Sequence, residues 1–169
     1  MIHFLYLKQY NEKTNTENII QRGTFAYMCP KCFSIEYIDI DNSLKITKCD
    51  KHNPPYILSP KQLSFICSEC QYIGDMTMID PNIAESISLL NKKGYYTSAC
   101  CEGHARDKGT YCYPFIEFYD NANDISKLEL PKYWEYDPEF NELYVPEEDA
   151  LVIDKELYLK TLYDFAVSI

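Results

Sequence analysis

Two pairs of cysteines constrain the fold of this chain more than any other feature. Cys29 and Cys32 form one Cys-x-x-Cys pair, and Cys67 and Cys70 form a second. A Cys-x-x-Cys turn lets two sulfurs reach one ion, and two such turns supply the four thiolates of a closed tetrahedral zinc shell. The spacing therefore predicts a structural Zn2+ site made by Cys29, Cys32, Cys67 and Cys70, because a full protein shell leaves no position open for a substrate.

The residues around these pairs favour a β structure. The Cys-Pro-x-Cys turn at Cys29 resembles the knuckle of a zinc ribbon, and the Cys67 turn resembles its partner. Residues 33–40 alternate in polarity, and a polar turn and a return strand at 44–48 complete a predicted hairpin between the knuckles. Redox-active cysteine pairs are the competing interpretation, but the strand–helix–strand context of thioredoxin-like proteins is missing.

A third potential ligand pair lies between the knuckles. Cys49 and His52 have Cys-x-x-His spacing, which also suits a metal ion. The pair could replace one of the Cys-x-x-Cys pairs or hold a second ion, or it could be a buried thiol with a surface imidazole in a loop. The sequence leaves these alternatives open.

Cysteine usage also bears on the compartment. The chain has 8 Cys, and its N-terminus, MIHFLYLKQYNEK, becomes polar too soon for a signal peptide. No apolar stretch approaches the roughly 20 residues that span a bilayer. We therefore expect a cytoplasmic protein without a membrane segment, whose thiols bind metal or react rather than form disulfides.

The charge balance restricts the class of partner. The formal net charge is −10, which repels phosphate backbones and argues against nucleic acid as a partner. The same charge favours a basic protein surface. The acidic residues crowd the C-terminal third of the chain: Glu135, Asp137, Glu139, Glu142, Glu147, Glu148 and Asp149. A solvated, solubilising face is the alternative interpretation of this crowding.

The second half has the pattern of a helix between strands. Asp80 and Pro81 predict a helix start, Ile83, Ile87 and Leu90 follow at helical spacing, and Gly94 predicts its end. A final helix is expected after Asp154, with Leu157, Leu162 and Phe165 in the core. The predicted fold class is α+β: a zinc-ribbon-like β lobe over residues 1–75, then an α+β domain over residues 76–169 with a small sheet and one or two packed helices.

The motif Cys101-Glu102-Gly103-His104 is the main functional candidate in the sequence. It follows a predicted strand, and functional side chains often lie at such strand ends. A thiol and an imidazole at this spacing can form an activated pair, and Glu102 can orient the imidazole or act as an acid or base, so Cys101, Glu102 and His104 are predicted catalytic residues. Two alternatives remain open, a metal site that also uses Cys112, and a purely structural loop.

A wider resemblance includes this motif. Several features occur in one order within residues 79–135, namely Asp80-Pro81, a predicted helix, Gly94-Tyr95, Thr97, Cys101-Glu102-Gly103-His104, an aromatic strand at 113–118, Leu130-Pro131 and Trp134. This order resembles that of uncharacterised bacterial and prophage proteins, in which Ser is usual at the position of Cys100. The resemblance implies a shared fold unit and a phage-encoded origin.

Three functions are weighed on this basis. The first is a small, acidic, zinc-stabilised interaction protein that binds a protein partner, with inhibition of a host protein as the role that the prophage resemblance implies. The second is an enzyme or small-ligand-binding protein that uses Cys101, Glu102 and His104, with Tyr96, Tyr111 and Tyr113 around the ligand. The third is nucleic-acid binding through the knuckles, which the negative charge opposes.

Overall fold

The structure contains helices and antiparallel sheets, in agreement with the predicted α+β class. The computed structural model describes residues 5–11, 16–40, 65–74, 76–105 and 111–169. In chain order the elements are β1 (Leu5–Asn11), β2 (Thr16–Met28), β3 (Ile35–Ile40), β4 (Phe65–Ile66), β5 (Ile73–Gly74), β6 (Thr77–Ile79), α1 (Ala84–Lys92), β7 (Thr97–Cys101), β8 (His104–Ala105), β9 (Tyr111–Cys112), β10 (Phe115–Phe118), a 3-10 turn (Ile125–Lys127), β11 (Glu135–Asp137), β12 (Glu142–Tyr144), α2 (Glu147–Ala150) and α3 (Lys155–Ser168).

The first sheet is antiparallel and is built around the long strand β2. The first part of β2 pairs with β1, and its last residues pair with β3 on one side and with β6 on the other. Ala26 and Met28 of β2 are buried in the same core as α1. Strand β6 follows residue 75 in the sequence, yet it pairs with β2, which precedes that residue. The division into 1–75 and 76–169 stays a prediction.

The second sheet carries the helices on one face. Its strand order is β11-β12-β10-β7, and all neighbours are antiparallel. Ile116 and Phe118 of β10 and Leu143 of β12 are buried, whereas the residues that alternate with them are partly exposed. This period of two gives the sheet an inner face against the core and an outer face toward solvent.

Helices α1 and α3 pack together over the inner face. Ile83, Ile87 and Leu90 are fully buried at the predicted helical spacing. In α3, Leu162 and Phe165 are buried as predicted, but Leu157 is exposed and Tyr158 takes the inward position. The indole of Trp134 donates to the backbone oxygen of Tyr158 at 3.0 Å, which joins the segment before β11 to α3.

The ends of α1 follow the sequence prediction at one terminus and depart from it at the other. Gly94, at φ +87°, donates to Asn91 O at 3.1 Å, and Tyr95 N–H donates to Leu90 O at 3.0 Å, the pair of bonds of a Schellman cap. The prediction that Asp80 caps the N-terminus is wrong. The N-cap position falls at Ile83, and no side chain caps it.

Some predicted features lie outside the described residues. These are the return strand at 44–48 and the pair formed by Cys49 and His52. In the part of the chain that the structure describes, no helix combines the length and the apolar character needed to cross a bilayer.

Candidate functional site

The four knuckle cysteines converge on one point. Their sulfurs all lie within 4.8 Å of one another, with Cys29 Sγ 3.7 Å from Cys70 Sγ and Cys32 Sγ 3.6 Å from Cys67 Sγ. An ion with four thiolates at about 2.3 Å in tetrahedral geometry spaces its sulfurs about 3.8 Å apart. Sulfurs in a disulfide are only about 2.05 Å apart, and all four thiols are free. The cluster has the dimensions of a metal site.

The two knuckles share one backbone geometry. Cys29 N–H donates to Ser34 O at 2.9 Å, and Cys67 N–H donates to Tyr72 O at 2.9 Å, so each turn closes over the same number of residues. Phe33 and Gln71, the residues directly after each pair, both have φ of +59°. The two turns of shared geometry thus carry the four sulfurs that lie within 4.8 Å of one another.

The pKa values of neighbouring thiols in the cluster shift in opposite directions. A hydrogen bond with Ser34 lowers the pKa of Cys67 to about 6. The backbone N–H of Tyr72 lowers the pKa of Cys70, but burial and the neighbouring thiols outweigh it and raise that pKa to about 12. Four sulfurs this close cannot all ionise without a positive charge between them, whereas a bound metal ion holds all four as thiolates.

The second cluster lies in the loop after β7. Cys101 is 5% exposed, His104 is exposed, and Cys101 Sγ lies 3.3 Å from His104 Nδ1. Gly103, at φ +81°, donates its N–H to Cys101 Sγ at 3.4 Å. A Cβ on this glycine would lie 2.8 Å from Pro114, so the turn needs a glycine for both conformation and space.

The carboxylate of Glu102 is bound by residues other than Cys101 and His104. Its carboxylate accepts the backbone N–H and the side-chain amide of Asn82, both at 3.0 Å, and it pairs with Lys155 at 2.6 Å. Lys155 also donates to Gly103 O at 2.9 Å, and the Tyr158 hydroxyl donates to Glu102 O at 3.3 Å. The motif therefore brings Cys101 and His104 together and uses Glu102 to join the loop to the starts of both long helices.

The surroundings of Cys101 favour its protonated form. Burial raises the pKa of this thiol to about 12, despite the hydrogen bond from Gly103, and the thiol of Cys112 and the charge of Asp80 act in the same direction as burial. Burial also raises the pKa of Cys100 to about 12. A thiolate nucleophile needs a lowered pKa, so a positive charge would have to be added before Cys101 could ionise near neutral pH.

Asp80 is a member of this cluster that the sequence interpretation missed. One carboxylate oxygen of Asp80, Cys101 Sγ and a ring nitrogen of His104 all lie within 4.8 Å of one another. Asp80 Oδ2 also accepts the N–H of Glu102 at 3.1 Å, which fixes the carboxylate beside the thiol. Asp80 and Cys101 are 21 positions apart in the sequence, and only the packing of the loop against the segment before α1 brings them together.

A cavity of about 810 Å³ adjoins this loop. It lies between the starts of α1 and α3, and its walls include His104, Glu102, Glu85, Glu156 and Tyr163. The tyrosines expected around a ligand make other contacts: Tyr96 packs on Phe33, Tyr111 hydrogen-bonds Tyr158, and Tyr113 packs on Tyr144. His104 is thus the member of the Asp80 cluster that faces a space large enough for a small ligand.

The outer face of the second sheet carries a further set of functional candidates. The sequence indicated Glu135, Asp137 and Glu142 only as part of a general excess of acidic residues. We define the outer sheet face by the residues that share it: Tyr113, Phe115, Glu117, Glu135, Asp137, Glu142 and Tyr144. Glu142 lies directly opposite Glu117 on one side and Asp137 on the other. Burial and then the charges of Glu117 and Asp137 raise the pKa of Glu142.

Aromatic rings occupy the other end of the outer sheet face. The ring of Tyr113 lies 6.1 Å from that of Phe115 and 6.2 Å from that of Tyr144, both edge to face. The sequence signal for this face was present as alternation in residues 115–118 and 142–144, but the cross-strand partners depend on strand register, which the sequence does not give.

Comparison of the chain with protein-family models, with curated proteins and with solved structures gives no match.

Proposed function

We propose that this protein is a zinc-stabilised interaction protein that binds a basic segment of a protein partner through its outer sheet face. The observation that carries the proposal is the row of carboxylates at Glu117, Glu142 and Asp137, which face one another across three neighbouring strands. A row of like charges is a poor arrangement for stability and a good one for recognition of cations.

The energetics of the row support a recognition role. Like charges directly opposite each other across strands are destabilising, by up to about 1 kcal/mol for each pair. A Lys or Arg side chain from a partner would remove this repulsion and gain charge-assisted hydrogen bonds. The adjacent rings of Tyr113 and Tyr144 offer surfaces over which a guanidinium can stack.

The net charge of the whole chain supports the same class of partner. A formal charge of −10 accelerates encounter with a basic surface and opposes encounter with nucleic acid. The resemblance to prophage proteins adds that the chain is phage-encoded and that its partner is a host protein, whose activity it inhibits by covering a basic segment.

In this proposal Zn2+ has a structural role. The sulfur distances at Cys29, Cys32, Cys67 and Cys70 suit Zn2+ with four thiolates, and the paired knuckle turns suit a zinc-ribbon-like lobe. A closed four-thiolate shell offers no open position, so the ion contributes folding free energy rather than chemistry.

The test measures binding of a defined basic probe, a labelled peptide of alternating Arg and Ser, by fluorescence anisotropy at several salt concentrations. The variant carries Glu117→Gln, Asp137→Asn and Glu142→Gln together. We expect the variant to lose at least tenfold in affinity and most of its salt dependence, because each lost carboxylate removes an ion pair with the peptide.

The matched control removes the same total charge elsewhere, with Asp120→Asn, Glu129→Gln and Glu147→Gln. These residues are exposed and lie outside the strands of the second sheet. The control variant should keep most of the affinity. Equal losses in both variants would show that bulk charge, and not the outer sheet face, attracts the peptide, and the proposal would fail.

An enzyme or small-ligand-binding protein is the second candidate. The observation that favours it is the contact of 3.3 Å between Cys101 and His104 beside the cavity. The contacts of Glu102 with Asn82 and Lys155 give little support to an acid–base role. The double change Cys101→Ala and His104→Ala separates the candidates: an enzyme would lose turnover while folded, and the interaction protein would still bind the basic peptide.

A further inference from the structure

We infer that Asp80, Cys101 and His104 form a second site for a divalent ion of the Zn2+ class, with one coordination position left to a ligand from the adjoining cavity. This inference does not depend on the outer sheet face or on a basic partner. It rests on the geometry of three potential ligands from two separate segments of the chain.

The donor set suits a borderline-soft ion. A thiolate, an imidazole and a carboxylate are the three types of protein ligand that Zn2+ takes, and their donor atoms lie within 4.8 Å of one another. Around one tetrahedral ion, a sulfur at about 2.3 Å and a nitrogen at about 2.05 Å lie roughly 3.5 Å apart. Cys101 Sγ and His104 Nδ1, at 3.3 Å, need to move by only a small amount.

The loop holds its ligands in the way that the knuckles hold theirs. In the second knuckle, backbone N–H groups of Glu69 and Cys70 donate to Cys67 Sγ. In the loop, Gly103 N–H donates to Cys101 Sγ, again from two residues further along the chain. Hydrogen bonds of this kind to ligand atoms orient them and tune their basicity.

Further contacts fix the other parts of the cluster. Glu102 N–H donates to Asp80 Oδ2 at 3.1 Å, and Lys155 bonds both Glu102 and Gly103 O. The side chain that the sequence suggested as an acid or base therefore supports the loop on which two ligands lie. Supporting contacts of this kind hold metal ligands in a fixed geometry.

Three protein ligands leave a tetrahedral ion with one open position. Cys112 contacts the Cys101 sulfur, but its own sulfur is not among the atoms that lie within 4.8 Å of one another. His104 lines the cavity of about 810 Å³, so an ion that it binds lies at the cavity wall. At that place the ion could polarise a donor group of a bound small molecule.

The experiment titrates the purified full chain with Zn2+ and with Co2+, and counts the ions retained after gel filtration by mass spectrometry of the metal. We expect two ions per chain for the unaltered protein and one for His104→Ala. His104 is exposed, so this change leaves the fold intact, which the circular dichroism spectrum checks. In His104→Ala, the visible spectrum of bound Co2+ should lack the component that arises from the site with a single thiolate.

Matched cysteine variants locate the second ion. Cys101→Ser should retain one ion, whereas Cys100→Ser, one residue away and packed against the core, should retain two. Cys112→Ser should also retain two, and loss of the second ion there would overturn the three-ligand form of the site.

Three further results would contradict the inference. One is a stoichiometry of one ion per chain in the unaltered protein at saturating Zn2+. Another is retention of both ions in His104→Ala. The third is loss of the second ion in His52→Ala, which would assign it to the Cys49 and His52 pair instead.

Discussion

Glu102 is the residue whose environment most changes the interpretation of its motif. It is 5% exposed, and its carboxylate accepts two hydrogen bonds from Asn82 and one from Lys155. A buried carboxylate needs such partners, because an unpaired buried charge costs several kcal/mol. Glu102 therefore acts as a connection between the loop, the segment before α1 and the first turn of α3.

This role predicts a stability effect for Lys155→Met. Methionine keeps most of the length of the side chain but removes the ammonium group, so Glu102 loses its charged partner while it remains buried. We expect the free energy of unfolding in urea to fall by about 3 kcal/mol, the lower end for a broken buried pair, since the Lys155 side chain is 36% exposed.

A second lysine of the same helix serves as the control. Lys160 pairs with Asp164, and both side chains are mostly exposed. Lys160→Met should change stability by less than about 1 kcal/mol, as exposed ion pairs do. Equal and small losses of unfolding free energy in the two variants would show that the contact between Lys155 and Glu102 stabilises the protein no more than an exposed ion pair does.

The spacing of residues in the sequence predicted two members of the Asp80 cluster but not the third. Cys101 and His104 are three positions apart, and so their contact follows from local geometry. Asp80 joins them only through tertiary packing, and the local pattern before α1 instead suggested a helix cap. The contacts of the Glu102 side chain could not be predicted either, because its partner Lys155 is contributed by α3 at the far end of the chain.

At the scale of elements, the end of α1 was predictable and the strand neighbours were not. Gly94 marks the helix end by a local rule, since only a residue that tolerates positive φ completes the Schellman cap. The pairing of β2 with both β3 and β6 depends on long-range contacts. For the same reason the alternation in β10 indicates which of its side chains are buried, but not that Glu142 lies opposite Glu117.

The carboxylate row predicts that Glu142→Gln stabilises the protein. Burial and two neighbouring carboxylates raise the pKa of Glu142 in the folded state above its ordinary value, so the charged form costs stability at neutral pH. We expect a gain of about 0.5 kcal/mol at pH 7, within the range of cross-strand pairs.

The sign of the pH dependence follows from the raised pKa. As pH falls from neutral, the folded state takes up the Glu142 proton before the unfolded state does, so the unaltered protein gains stability relative to the variant. The advantage of Glu142→Gln should therefore become much smaller by pH 4, where the side chain is mostly protonated in both states. Urea unfolding at pH 7 and pH 4 measures the difference in stability between the variant and the unaltered protein. Glu129→Gln, outside the sheet, should show no gain at either pH, and a gain there would refute the cross-strand explanation.

At the scale of the whole molecule, the four cysteines and the helical core belong to two different clusters of buried residues. Cys29 and Cys67 are buried with Tyr27 and Met76 in a small cluster of their own. The larger core contains α1, α3 and the inner face of the second sheet. Removal of an ion from the four cysteines should therefore affect one part of the molecule first.

Amide hydrogen exchange with and without a strong chelator tests this separation at neutral pH. We expect exchange to accelerate at least tenfold in residues 29–34 and 67–72, the two turns that carry the four cysteines. Protection in α1 and α3 should change much less, since their packing uses apolar side chains. Performing the measurement on His104→Ala excludes an effect from the Asp80 cluster. Uniform acceleration along the chain, or none, would show that the cluster does not stabilise a separate region.

The register between β7 and β10 has a consequence for regulation. Phe115 lies directly opposite Cys101, so the aromatic end of the outer sheet face adjoins the loop that carries His104. If two ligands that bind at these adjacent places change each other's affinity, the coupling is reciprocal. If a partner on that face binds the zinc-loaded loop more tightly, zinc must bind the partner-loaded protein more tightly by the same factor. The availability of zinc in the cell would then set how strongly the partner is held.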